Sequence, residues 1–205
     1  MKNRIWIILS FAIILLMLSA CESGAKLKVY NRCSYPAYIK VEGQEFKTIG
    51  ADEEVEYNID TKTQYIFAGD VKKKLLIWLK GETYSIHDKD LNAYLDSTWI
   101  EVQAGEIYKI FLLPNRASVK IVNASEQTIS RAEIWQHSDL THLKVGVLTN
   151  IMPGENEFLC VEYGTDYYYQ VEIYLSDGTH QTFGSYNTIL DKDEQFLITY
   201  RSEYN

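Results

Sequence analysis

Cysteine, histidine and clustered carboxylates are the side chains here that could do chemistry, and their spacing decides what each could do. Cys33 and Cys160 lack a histidine with a supporting Asn or Asp in any recognisable signature, so neither reads as a catalytic nucleophile. In an exported chain the two could form a disulfide, provided their Cα atoms come within about 4.4–6.8 Å. Two separate buried or half-buried thiols are the other reading. The four histidines are His87, His137, His142 and His180. His137 and His142 stand five apart, which fits neither one helix face nor one strand face. No HExxH or paired-Cys spacing accompanies them, so no metal is expected. His137-Ser138-Asp139 holds triad residue types, but neighbours in sequence cannot adopt the relay geometry. Asp88-Lys89-Asp90-Leu91-Asn92 begins like a calcium loop and then fails, with Ala93 where the sharp turn needs Gly and Trp99 where a bidentate Glu is needed. It reads as an exposed acidic connection, and Asp191-Lys192-Asp193-Glu194 as a polar turn before a last strand. GxSxG, GxGxxG and P-loop patterns do not occur. No cofactor and no enzymatic activity are expected.

Aromatic side chains are the better candidates for binding. Tyr163, Tyr167, Tyr168, Tyr169, Tyr174 and Tyr186 crowd the C-terminal half, while Trp78, Trp99 and Trp135 are spread out. Exposed Tyr and Trp anchor sugars and protein partners. Strands also favour aromatics for packing. In the alternating stretch 167–175, Tyr169, Val171, Ile173 and Leu175 share one face, the expected core. Tyr168 and Tyr174 oppose it and are the candidate surface residues.

The elements that must hold these residues read as strands. Leu27 and Val29 alternate with Lys26 and Lys28, and Val55, Tyr57 and Ile59 with Glu54, Glu56 and Asn58; this is the period of half-buried strands. Leu75 to Leu79 is a continuous apolar run suited to a buried strand. The best helical candidate, Leu140 to Thr149, is β-branched and contains Gly146. Four anchors recur in order: Asn31 with Asn123; 49–53 with 151–155; Leu79-Lys80-Gly81-Glu82-Thr83 with Leu175-Ser176-Asp177-Gly178-Thr179; and 102–111 with 190–199. Such ordered recurrence predicts a duplicated module. Each copy has about seven short strands, which suggests a β-sandwich. Asp177-Gly178 reads as a type I′ hairpin turn. The modules are expected over residues 27–114 and 115–205.

The N-terminus tells where such a body would sit. Lys2 and Arg4 precede an apolar run of fourteen residues, Ile5 to Leu18, broken by Ser10. That suits a signal-peptide core and is short for a membrane span of about 20 residues. The run ends in Leu18-Ser19-Ala20-Cys21, which resembles the lipobox of bacterial lipoprotein precursors at all four positions. The resemblance implies cleavage before Cys21 and attachment of lipid to its thiol. Residues 1–20 would then be signal peptide and 21–26 a lipidated linker. An ordinary secretory signal or an uncleaved anchor is the alternative. Glu22, in place of the Asp that favours inner-membrane retention in the familiar Gram-negative sorting pattern, leans towards the outer membrane.

The body also has a likeness. Asn123, Ser125, Pro153-Gly154, Gly164, Tyr167 to Tyr169, Ser176 to Thr179 and Phe196 to Tyr200 resemble uncharacterised bacterial envelope lipoproteins with immunoglobulin-like or transthyretin-like sandwich modules. These are turn and core residues, so the resemblance implies a fold and carries no site over. The first module departs from it, with Ala51-Asp52 in place of Pro-Gly and no Asp-Gly hairpin.

The composition agrees with a folded, exported body. The 205 residues are 46% hydrophobic and carry a net charge of −8, enough apolar content to bury a core. Cleavage before Cys21 would remove two positive charges and no negative one. The acidic balance argues against nucleic acid, whose binding rests on Lys and Arg. The expectation is an all-β, lipid-anchored cell-envelope protein of two tandem antiparallel β-sandwich modules. Its role would be structural or in protein interaction, with glycan binding through exposed Tyr or Trp as the alternative. Its expected partners are the membrane through the anchor and another envelope protein or a glycan.

Overall fold

The computed structural model describes residues 24–61 and 72–201; the signal-like segment and Cys21 lie outside these. The described residues form strands and turns and no helix. The N-terminal part contains β1 (Gly24–Asn31), β2 (Ala37–Val41), β3 (Phe46–Ile49), β4 (Glu54–Asp60), β5 (Lys72–Gly81), β6 (Ile86–Asp88), β7 (Ala93–Leu95), β8 (Ser97–Gln103) and β9 (Ile107–Leu112). The C-terminal part contains β10 (Ala117–Asn123), β11 (Ile129–His137), β12 (His142–Ile151), β13 (Asn156–Val161), β14 (Tyr168–Leu175), β15 (His180–Phe183) and β16 (Gln195–Tyr200).

Each part is a sandwich of a three-stranded and a four-stranded sheet. The orders are β4-β1-β9 with β3-β2-β5-β8, and β13-β10-β16 with β12-β11-β14-β15. β6 and β7 form a separate hairpin. The sheets are antiparallel except that the first and last strands pair in parallel, β1 with β9 and β10 with β16. An immunoglobulin constant domain instead splits its strands as ABED and CFG. Here the first, fourth and last strands share one sheet in both parts, unlike that split.

Alternation places the cores. Leu27, Val29, Ile39, Tyr57, Ile77 and their neighbours fill one cluster; Val119, Ile121, Ile134, Tyr169, Val171 and Ile173 fill a second. Tyr169, Val171, Ile173 and Leu175 are buried, the face read from the sequence. One helical candidate resolves as strand, and one reading changes. The 140–149 stretch is mostly strand β12, whose Gly146 lies against Leu159, where a Cβ would collide. The 75–79 run is buried on one side only: Leu75, Ile77 and Leu79 point inward, while Trp78 is 40% exposed on the outer face.

The repeat anchors have a physical basis. Asn31 and Asn123 are both fully buried. The Asn31 amide donates to the carbonyls of Tyr35 and Ile49 and accepts from the Cys33 N–H. Asn123 does the same with Gln127, Ile151 and Ser125. In the following turns the Glu53 carboxylate accepts from the Gly50 N–H and the Glu155 carboxylate from the Met152 N–H. Asp52 (φ 58°) takes the left-handed conformation that Gly154 (φ 81°) takes in the second turn, so Ala-Asp and Pro-Gly build one geometry. The 79–83 anchor slips by two residues. Ala37 pairs with Gly81 as Ile129 pairs with Leu175, so Gly81 is the counterpart of Leu175. The Asp177-Gly178 turn also differs from the type I′ expectation. Only Gly178 has positive φ there (88°) and its N–H bonds to the Leu175 carbonyl, the three-residue hairpin with a glycine bulge.

Candidate functional site

The outer face of the β3-β2-β5-β8 sheet carries an aromatic field. Cross-strand pairing puts Phe46 beside Lys40 and Lys40 beside Trp78, with Tyr38 and Lys80 paired in the adjoining row. Trp99 lies opposite Leu76, diagonal to Trp78. Phe46 is 59% and Trp99 62% exposed. The Lys40 ammonium lies 5.7 Å from the Trp78 ring centroid, a cation–π contact.

The second sandwich turns part of this face into a trough. Phe158 of β13 stacks on Tyr38 at 5.7 Å, and Tyr38 stacks on Phe46 at 6.1 Å, giving three nearly parallel rings. The Lys80 ammonium sits over Phe158 at 4.6 Å. Trp78, Asp96, Asn156 and Glu157 also line the trough. The trough holds about 470 Å³. Among the described residues, the Asp96, Asn156 and Glu157 side chains make no hydrogen bond, so their polar atoms are available to a ligand.

A polar lock beside the trough sets its shape. Glu82, just after β5, is fully buried. Its carboxylate accepts from the Tyr38 hydroxyl (2.9 Å), the Lys120 ammonium (2.7 Å) and the Gln195 amide (2.6 Å). Burial, then the Glu82 contact, pushes the Tyr38 hydroxyl pKa up. The Asp193 carboxylate reaches across to accept from the Ser34 N–H (3.0 Å), the Ser34 hydroxyl (2.8 Å) and the Thr83 hydroxyl (2.5 Å). The connecting Asn115 exchanges hydrogen bonds with both the N–H and the carbonyl of Ser85. Buried charges are tolerated when paired and hydrogen-bonded in this way.

Tyr168 and Tyr174 lie on the outer face of β14, away from the trough and apart from each other. Both are half-buried. Tyr168 stacks on His137, and Tyr174 stacks on His180 with its hydroxyl donating to Glu172. Arg131 covers the Tyr174 ring at 4.1 Å. Cys33 and Cys160 are free thiols. Cys33 is buried and donates to the Leu112 carbonyl; burial pushes its pKa up to about 11. Cys160 sits at the junction, 3.1 Å from the Gly81 carbonyl, and burial raises its pKa too.

His137 and His142 are brought together, against the spacing argument. The β11–β12 hairpin pairs them directly, with Nδ1 atoms 2.5 Å apart. Desolvation, and then the charge of His142, lowers the His137 pKa. The Ser138 hydroxyl bonds to the Thr141 hydroxyl within the turn. Asp88 accepts from the Asp90 and Leu91 N–H groups and so caps its turn.

Sequence reasoning did not single out Phe46, Tyr38, Phe158, Asp96 or Glu157. The available signal was the alternation through 37–41 and 75–79, which places Tyr38 and Trp78 on outward faces of strands that become neighbours.

No protein-family model matches the chain, and no curated protein matches its sequence. Among solved structures it is similar to the Bacillus anthracis TIE protein at 12% identity and a TM-score of 0.31, over 88% of this chain and 34% of that one. The chain thus spans about a third of that protein's length. It is also similar to a DUF3823 family protein from Bacteroides ovatus at 12% identity and a TM-score of 0.24, over 78% of this chain and 96% of that one. The shaft pilin SpaA from Lactobacillus rhamnosus GG shares 8% identity at a TM-score of 0.28, over 89% of this chain and 99% of that one. These likenesses give no residue of this chain a role.

Proposed function

We propose that this chain is a lipid-anchored bacterial cell-envelope protein with a non-catalytic, structural or interaction role, held by Cys21 and meeting its partner at the junction trough. The observation that carries the reading is the aromatic field at a junction fixed by the buried Glu82 carboxylate. A rigid, partly exposed aromatic surface with free polar groups at its rim has the make-up of a binding surface. The anchor is supported by Leu18-Ser19-Ala20-Cys21 and by strand β1 beginning at Gly24, only three residues beyond Cys21. Stable attachment takes at least two acyl chains, and a diacylglycerol thioether at Cys21 supplies two. In a Gram-negative envelope Glu22 favours the outer membrane.

Two measurements test the reading. Mass spectrometry of native protein should find Cys21 at the N-terminus with lipid attached, and Cys21→Ser should move the protein out of the detergent phase. An unmodified N-terminus upstream of Cys21 would remove the anchor. Native protein extracted from its own membranes should retain a partner that Trp78→Ala loses; equal retention by both would remove the trough from the reading.

A further inference from the structure

We propose that the junction trough binds an uncharged glycan, with pyranose rings laid against Trp78 and Phe46; the proposal rests on the reading of the trough as the contact surface. A pyranose offers an apolar C–H face and a rim of hydroxyls. The trough offers the matching pair. Trp78 and the outermost ring of the Phe46–Tyr38–Phe158 stack present aromatic faces, and C–H groups pack favourably on such faces. Asp96 and Glu157 present carboxylate acceptors, and Asn156 both a donor and an acceptor; none has a hydrogen-bond partner among the described residues. Hydrogen bonds from neutral hydroxyls to charged acceptors are among the stronger ones.

Charge narrows the ligand. Two carboxylates, Asp96 and Glu157, line the trough, while the ammonium groups of Lys80 and Lys40 are engaged over the Phe158 and Trp78 rings. The free carboxylates disfavour acidic polysaccharides and phosphorylated ligands, whereas an uncharged sugar can donate to both. A volume of about 470 Å³ fits a short stretch of chain, within the usual range of ligand sites. The stacking of Tyr38 between two rings and its bond to Glu82 keep the platform in place before any ligand arrives, which lowers the ordering cost of binding.

The test uses the full mature chain in detergent, titrated with neutral hexasaccharides of β-1,4-glucose, α-1,4-glucose and β-1,4-N-acetylglucosamine. Calorimetry and tryptophan fluorescence are the readouts. At least one hexasaccharide should bind and perturb the fluorescence. Trp78→Ala and Phe46→Ala should each weaken binding about tenfold or more, and Tyr168→Ala should leave it unchanged. Both trough residues are substantially exposed, and circular dichroism checks that each variant folds. No binding by any of the three at millimolar concentration overturns the glycan proposal. So does binding that survives Trp78→Ala and Phe46→Ala, or that is lost in Tyr168→Ala alone. A proline-rich peptide or a membrane protein that binds in a Trp78-dependent way, with no sugar binding, also overturns it, yet leaves the trough as contact surface. Loss of every Trp78-dependent partner removes both.

Discussion

The two sandwiches use one plan for different ends. Gly105 and Asp193 occupy the same place before the last strand: each has positive φ (81° and 66°), and each donates its N–H to the residue that opens the first strand region, Gly24 or Arg116. Glycine serves the first turn, where φ is positive and no described residue lies within 4 Å of where a Cβ would be. Aspartate accepts the strained conformation in the second, and its carboxylate holds Ser34 and Thr83 of the first sandwich. Lys28 and Lys120 are likewise equivalent, three residues before the buried Asn in each first strand. Lys28 pairs with Glu56 at the surface, whereas Lys120 pairs with the fully buried Glu82. The lesson is that a junction needs no new scaffold, only new side chains at scaffold positions whose outward direction already exists.

The largest effect that sharpens this contrast should come from Glu82→Ala. It leaves the Lys120 ammonium without its buried partner and should cost about 3–5 kcal/mol, read as the loss of stability in urea. Lys28→Ala should leave the urea midpoint essentially unmoved, because exposed ion pairs contribute little. Equal losses would erase the distinction between the two lysines.

Next are the shared locks. Asn31→Ala and Asn123→Ala should each cost about 2–3 kcal/mol, since each strands buried backbone groups. Their costs should be similar, because three bonds of each correspond; a large inequality in urea titrations would break the equivalence of the sandwiches.

Smaller effects follow at the turns. Gly105→Asp should destabilise by about 1 kcal/mol through its left-handed backbone, measured by thermal unfolding. Asp193→Gly should destabilise by about 1–2 kcal/mol, because the strain it relieves is smaller than the three carboxylate hydrogen bonds it removes. It should also speed hydrogen exchange at the Ser34 amide. Unchanged exchange there would mean that the carboxylate does not hold the junction.

The smallest effect separates the outer hairpin of the second sandwich from the rest. His137 has a folded pKa below its unfolded value of about 6.5, so the unfolded state takes up its proton first. Its contribution is complete above about pH 6.5 and is lost as pH falls below that. His137→Gln should flatten that part of the stability profile, and a matching slope in wild type and variant would count against it.

Much of the sandwich was legible in residues 24–61 and 117–175, because period-two alternation directly reports which side of a strand meets the core. Asn31 and Asn123 marked the repeat because each buried amide ties its first strand to corresponding backbone groups. The failures share a cause: they depend on which strands become neighbours. His137 and His142 are five apart in sequence yet opposite in a hairpin. Trp78 looked buried inside an apolar run because the run does not say that one side of its sheet stays open. Asp193 read as a polar turn, since its partners Ser34 and Thr83 are more than a hundred residues away. The trough was the least legible feature, being assembled from β2, β3, β5 and the distant β13.

The parallel pairing of β1 with β9 and of β10 with β16 has a directional consequence. A chain whose opening and closing strands run the same way leaves a sandwich at the end opposite to where it came in. The second unit nevertheless lies back along the first: Cys160 meets Gly81, Phe158 meets Tyr38 and Asn156 joins Trp78 at the trough. Val122 pairs with both Asn156 and Thr199, so a reporter fused after Tyr200 would leave from the level of the trough.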